Sequence, residues 1–321
     1  MTRSIRRGAL AAATLIACTT STATLACSAC GCTLTSDWIG EGLAATPGLR
    51  AELRYDYLPQ TRLRSGKANV DGASIALPAD HEIEQYTYNH YVTAGLDWAP
   101  TQSFAVNVQL PLVIRPHATI AQGDIDPSFS HTSGIGDARV TMRYQGFGGP
   151  GISGVQLGLK LPTGGFHTAF RSGPRAGELL DRGLQAGTGT TDVLLGLYHF
   201  GALAGDFDWF AQASTAIPIN RREDFRPGAS AIGSIGVSYA GWRGITPQMQ
   251  MNMRIARKDS GFNSDHDNSG GELLYASPGI TVKLDRRTAL FGFVQVPVYQ
   301  RVIGYQLVPK FTVSAGLQVR L

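Results

Sequence analysis

The stretch Ile245-Thr246-Pro247-Gln248-Met249-Gln250-Met251-Asn252-Met253-Arg254-Ile255-Ala256-Arg257 decides the fold. Pro247, Met249, Met251, Met253 and Ile255 alternate with Gln248, Gln250, Asn252 and Arg254, a period of two that a β-strand turns into one apolar and one polar face. The end of the chain repeats it: Phe311, Val313, Ala315, Leu317, Val319 and Leu321 stand against Thr312, Ser314, Gly316, Gln318 and Arg320. A water-soluble sandwich alternates too. Long alternating segments without a helical period, behind a secretory-type N-terminus, favour a barrel standing in a bilayer.

Working outward, twelve such segments are expected, in the ranges 49–58, 84–99, 103–114, 137–145, 154–161, 191–200, 207–217, 229–240, 245–257, 273–284, 288–299 and 306–321. Twelve is even, as closed single-chain bacterial barrels require. The connections agree with the count. Those after odd strands are long and polar (59–83, 115–136, 162–190, 218–228, 258–272), with a short exception at 301–305. Those after even strands are tight (100–102, 146–151, 201–206, 241–244, 285–287). This is the asymmetry of outer loops and periplasmic turns, and it puts both ends of the chain in the periplasm. Tyr86 and Tyr88 fall at the expected outer interface; Trp98, Tyr144, Trp209, Tyr239 and Trp242 fall at the periplasmic one, as an aromatic girdle would. The fold class expected is therefore all-β: a closed antiparallel transmembrane barrel in the bacterial outer membrane, with lipids and the barrel assembly machinery as partners.

Composition agrees. The 321 residues are 43% hydrophobic and 16% charged, with 39 glycines and a net charge of +4. No apolar run after the N-terminus reaches the roughly 18 residues of a membrane-spanning helix. No basic cluster or stacking motif points to nucleic acid. Residues 1–26 read as a secretory signal: Arg3, Arg6 and Arg7, a short apolar stretch over 8–17, and small residues before Cys27. Leu15-Ile16-Ala17-Cys18 offers a rival, lipobox-like site at which Cys18 would carry lipid. The domains expected are the signal at 1–26, a cysteine-containing segment at 27–47 (periplasmic, or long enough to plug the barrel), and the barrel at 48–321.

Four landmarks carry a resemblance. They are Gly134-Ile135-Gly136-Asp137, Lys160-Leu161-Pro162-Thr163-Gly164, the run Gln185-Ala186-Gly187-Thr188-Gly189-Thr190-Thr191-Asp192, and Gly304-Tyr305-Gln306-Leu307. In this order the chain resembles the outer-membrane barrels grouped with phenol meta-pathway proteins, over about 48–321. The resemblance implies transport of hydrophobic, aromatic compounds. Read as structure alone, Gly134, Gly136, Gly187 and Gly189 supply turn geometry, and Asp137 and Asp192 bond neighbouring backbone amides. Leu321 departs from the aromatic residue that usually ends such barrels.

The polar face is the expected lumen wall. It carries Arg50, Arg54, Arg139, Arg143, Lys160, Arg254, Lys283 and Arg320 against Glu52, Asp56 and Asp97, an excess of positive charge that would attract small anions. Pairing of these groups with one another inside a mostly filled barrel is the competing expectation. Cys27, Cys30 and Cys32 lie within six residues. They could hold a thiophilic ion such as Cu or Zn, or Cys27 and Cys30 could form a disulfide. An envelope protein whose cysteines handle metal or redox partners, with the barrel as anchor, is the alternative function. His81, His90, His117, His131, His167, His199 and His266 fall mostly in outer loops, where solvated side chains are expected. Asp265-His266-Asp267-Asn268 reads as a polar loop tip. A phospholipase-like enzyme would need a serine beside Asn89 and His90, or beside His199, and no serine motif stands out. The protein is read as a non-enzyme that passes or binds a small molecule.

Overall fold

A computed structural model describes residues 47–147 and 151–321. The secretory signal, Cys18 and the cluster Cys27, Cys30 and Cys32 lie outside the described residues. So does the plug-forming segment, apart from Pro47.

Fifteen strand segments are present. They are β1 (Gly48–Ser65), β2 (Ala68–Asn69), β3 (Ile83–Ala99), β4 (Phe104–Ile120), β5 (Ser128–Ile135), β6 (Ala138–Gln145), β7 (Ile152–Leu161), β8 (Asp192–Ala204), β9 (Phe207–Pro218), β10 (Ser230–Tyr239), β11 (Ile245–Ala256), β12 (Gly271–Lys283), β13 (Thr288–Val302), β14 (Tyr305–Pro309) and β15 (Thr312–Arg320). Each pairs antiparallel with its neighbour in the order β15-β13-β12-β11-β10-β9-β8-β7-β6-β4-β3. β1 closes the ring, running from Gly48↔Ala99 to Gln60↔Thr87 against β3 and from Arg50↔Arg320 to Tyr57↔Val313 against β15. With β5 and β6 sharing one wall position, and β14 and β15 another, the result is a closed twelve-strand barrel. Closure leaves no unpaired edge in hydrocarbon.

Burial separates barrel from sandwich. Gln60, Asn89, Gln250, Asn252, Gln295 and Gln306 are fully buried, while Leu157, Leu197, Ile235 and Val298 are exposed. A soluble sandwich would invert this pattern. Trp98, Tyr144 and Trp242 are exposed on the outer wall near the tight turns. There Tyr144 packs edge-on to Phe147, and Tyr239 to Trp242. The end with the tight turns is called here the turn end, and the opposite one the loop end.

Two sequence expectations change at the loop end. The segment 115–136, expected as a loop, is mostly strand: β4 continues to Ile120 and pairs with β5 from Leu112↔Ile135 to Thr119↔Ser128. β1 likewise runs on to Ser65. These extensions enclose a small dry core of Leu63, Ile83, Ile120 and Leu307 above the lumen. A polar hairpin surface with one apolar side is weakly patterned, so the strands were not visible there.

The inward face is also not purely polar. Tyr198, Phe200, Phe210, Phe291 and Phe293 point in and are buried. Four of them lie directly opposite a glycine: Tyr198↔Gly154, Phe210↔Gly236, Phe291↔Gly316 and Phe293↔Gly279. Each ring lies over the bare backbone of its partner, so a Cβ at Gly279 would collide with the Phe293 ring. Gly279→Val should therefore destabilise the barrel by about 1–3 kcal/mol. Urea unfolding in lipid vesicles measures it, and adding Phe293→Leu should recover part of the loss.

Candidate functional site

Strand alternation puts the predicted lumen residues on one face, and cross-strand register brings them together. At the turn end, Arg50 stands opposite Asp97. Arg50 Nη2 donates to Asp97 Oδ1 at 2.8 Å, and Arg143 donates to Asp97 Oδ2. Beside them Arg54 reaches Asp56 at 3.0 Å and Glu52 at 3.7 Å, and Ser314 donates to Asp56. These groups form a layer that is nearly inaccessible to solvent. Arg254 is also buried. Lys283 and Arg320 share the inward register but are exposed at the turn-end rim. Neither lines the cavity.

The second cluster lies higher and explains the glycine-rich landmarks. Lys160 Nζ sits between Asp137 (3.3 Å) and Asp192 (3.0 Å) and donates to Thr188 Oγ1 at 2.5 Å. Asp137 accepts from the backbone N–H of Gly164 (3.1 Å) and Thr188 (3.0 Å) and from the Thr188 hydroxyl (2.9 Å). Neighbouring amides were expected as its donors, but these lie 27 and 51 residues away. They belong to both ends of the connection 162–191, which Asp137 thereby ties down into the barrel. Asp192 accepts from Thr190 Oγ1 rather than from a neighbouring amide. The glycines serve the same docking. A Cβ on Gly187 would strike Gly164 and Asp137, and one on Gly136 would crowd Pro111 and Ala186. Only Gly189, at φ +72, needs glycine for its backbone angle; Gly134, Gly136 and Gly187 do not.

Further contacts hold the connection inside. Arg115 donates to the carbonyls of Gly183 (2.7 Å) and Gln185 (3.2 Å), to Asn89 (2.6 Å) and to Tyr91 (2.7 Å). Arg182 pairs with Glu223 at 2.7 Å and stacks over Phe166, 4.2 Å from the ring centre. Leu184 is fully buried. Sequence reasoning assigned plugging to 27–47 and missed 162–191. The only signal was the pairing of two Gly-rich motifs across that connection.

Between the inserted connection and the Arg54–Arg143 layer lies a cavity of about 350 Å³. Its charged lining is Arg54, Arg115, Arg139, Arg143, Lys160, Arg182, Arg254 and Arg257 against Asp137, Asp192 and Asp259. Its apolar lining includes Pro111, Val113, Leu194, Phe225 and Ile232.

Asp181, on the inserted connection, is buried. Burial first, then the nearby carboxylates Asp265, Glu82, Asp259 and Glu84, holds its carboxyl well above the usual carboxylate range. A docked loop thus favours the protonated acid, whereas an undocked loop returns it to about 3.9. The docked form keeps its full stability below that value and loses it as pH rises towards the raised value. Amide hydrogen exchange across 165–187, corrected for its intrinsic pH dependence, should accordingly be slower at pH 5 than at pH 8, and Asp181→Asn should flatten the profile.

His117 is not solvated: it is buried inside the wall, with Nδ1 2.8 Å from Thr87 Oγ1. Asp265 is buried and accepts from the N–H of Asn268, while His266 and Asp267 are exposed in the turn, the polar tip that was expected. Among the described residues no group of three His, Cys, Asp or Glu side chains is arranged to hold a metal. Asn89 bonds inward to Gln60 and Arg115, while His90 bonds outward to Tyr55, so they cannot share a site. His199 does meet a serine, Ser153 Oγ, at 2.7 Å from Nδ1. That pair sits on the outer wall beside Trp209, with no carboxylate or amide bonded to the ring among the described contacts.

No family model and no curated protein matches the chain. Solved structures do. An outer membrane channel from Pseudomonas putida F1 aligns with TM-score 0.62 at 13% identity, covering 89% of this chain and all of that one. The translocator domain of the autotransporter NalP from Neisseria meningitidis aligns at TM-score 0.49 and 9% identity, over 86% of this chain and 89% of that one. The toluene transporter TbuX of Ralstonia pickettii aligns at TM-score 0.41 and 9% identity, over 86% and 90%. At these identities the likeness is one of fold. The chain is a β-barrel resembling bacterial outer-membrane proteins.

Proposed function

We propose that the protein is an outer-membrane channel that passes small molecules with hydrophobic, aromatic character, and that it carries out no chemistry of its own. The observation that carries this reading is the lumen. A cavity of about 350 Å³ sits inside the closed ring, and Tyr198, Phe225, Val113, Leu194 and Ile232 give it aromatic and apolar surface. A wall that only had to anchor an N-terminal segment would not need a small-molecule-sized chamber in its interior. The fold shared with the Pseudomonas putida channel and the order of the four sequence landmarks support the same reading.

Purified protein in planar bilayers should give discrete single-channel currents in potassium chloride, with chloride favoured over potassium. Silence across repeated incorporations, with barrel folding verified in the same sample, would remove the channel reading.

A further inference from the structure

The charged lining of the cavity does not balance. Eight basic side chains face it and three acidic ones, although Arg54, Arg143 and Arg182 have counter-charges just behind the lining in Asp56, Asp97 and Glu223. All three acids are engaged: Asp137 and Asp192 flank Lys160, and Asp259 accepts from the N–H of Gly228 at 2.7 Å. Arg143 is held by Asp97 from below. Arg139 differs. It stands on β6 between Gln109 of β4 and Lys160 of β7, and it lines the cavity with its side chain exposed to the lumen. Among the described residues the Arg139 side chain makes no ion pair and no hydrogen bond.

Its charged neighbours on the inward face are Lys160, opposite it, and Asp137, two residues back, which Lys160 and the connection 162–191 already occupy; the rest of its surroundings are of two kinds. Gln109, Thr141 and Gln156 flank it as neutral polar groups, and none offers a counter-charge. Pro111, Val113, Leu194, Phe225 and Ile232 supply apolar surface to the same chamber. A planar guanidinium suits a carboxylate through two parallel hydrogen bonds, and the surplus positive field lowers the cost of bringing an anion in. The chamber volume lies at the lower end of the roughly 300–1,000 Å³ of small-molecule sites, which fits a single-ring compound better than a long chain.

We propose that this cavity binds a small aromatic carboxylate, with Arg139 taking the carboxylate and the apolar lining taking the ring. The proposal rests on the channel reading and deepens it, because it joins the apolar surface of the cavity to its positive charge in one ligand class. Arg139 is a specificity residue here. It holds the ligand's charged group and transforms nothing.

The test uses the full chain in detergent and isothermal titration with four probes: benzoate, benzyl alcohol, acetate and inorganic phosphate. Benzoate should bind at least ten-fold more tightly than each of the others. Arg139→Gln should weaken benzoate ten-fold or more and leave benzyl alcohol unchanged, and Arg139→Lys should recover part of the loss. Arg320→Gln, at the turn-end rim, should change nothing. Equal binding of benzoate and benzyl alcohol by the unaltered protein would overturn the proposal without any variant. Phosphate binding as tightly as benzoate would mean a general anion site and would overturn it as well. So would benzoate affinity unchanged in Arg139→Gln. Planar-bilayer currents recorded from the same preparation keep the two readings apart. Currents without benzoate binding defeat this proposal alone, and benzoate binding without currents defeats the channel.

Discussion

Asp97→Ala should destabilise the barrel by about 3–5 kcal/mol, the usual cost of breaking a buried ion pair from one side. Asp97 is the shared acceptor of Arg50 and Arg143, and all three side chains are 7% exposed or less. Removing it leaves two guanidiniums facing each other in a confined layer. Each loses its charge-assisted bond, and their mutual repulsion is newly uncompensated. Arg50→Gln or Arg143→Gln alone should cost less, since Asp97 keeps one partner. The triple change Arg50→Gln, Asp97→Asn and Arg143→Gln should restore most of the stability, because no buried charge is left alone. Urea titrations of vesicle-reconstituted protein, followed by tryptophan fluorescence, measure all four. If Asp97→Ala unfolds at the same urea concentration as the parent, the layer is wet enough that the pairing contributes little.

Asp137→Ala should release the connection 162–191 and raise single-channel conductance. The carboxylate holds the Gly164 amide, the Thr188 amide and the Thr188 hydroxyl, and it shares Lys160 with Asp192. Hydrogen bonds to a charged group are worth about 1.5–3 kcal/mol each, so losing three weakens docking by several kcal/mol even after allowing for water and non-additivity. The wall should survive, since β6 remains paired with β4 and β7 on both sides. The expected pattern is therefore unchanged barrel stability together with larger currents, and limited proteolysis should newly cut within 165–187. Arg115 and Arg182 hold the same connection from its middle. Asp137→Ala combined with Arg115→Ala should open it further. Unchanged conductance in that double variant would mean that the inserted connection does not set the constriction.

Much of this was legible in the chain. The alternation over 245–257 and 311–321 gave strand, face and barrel, because a period of two is local and each residue reports its own side. Nearly every strand predicted below the loop end starts and stops within a few residues of its place in the structure. The lumen-facing residues Arg50, Arg54, Asp97 and Arg143 were named for the same reason. Their pairing was not. Which arginine shares Asp97 depends on register across β1, β3, β4 and β6, and register is a property of the assembled sheet.

Two further features lay outside what a single strand can reveal. The inward rings of Phe210, Phe291 and Phe293 look like breaks in the pattern until Gly236, Gly316 and Gly279 are found opposite them. Gly136 and Gly187 read as turn residues, yet Gly187, with Gly164, is needed where backbones from distant parts of the chain nearly touch, and Gly136 lies against the same contact.

By itself the sequence determined that this protein is a barrel with an apolar outside and a charged inside, since side-chain direction along a strand follows from covalent geometry alone. Only the tertiary structure decided that the connection 162–191 enters the lumen, that Asp137 pins it there, and that Arg139 faces the cavity beneath it. Those outcomes depend on contacts between residues dozens of positions apart, whose partners are chosen when the ring closes.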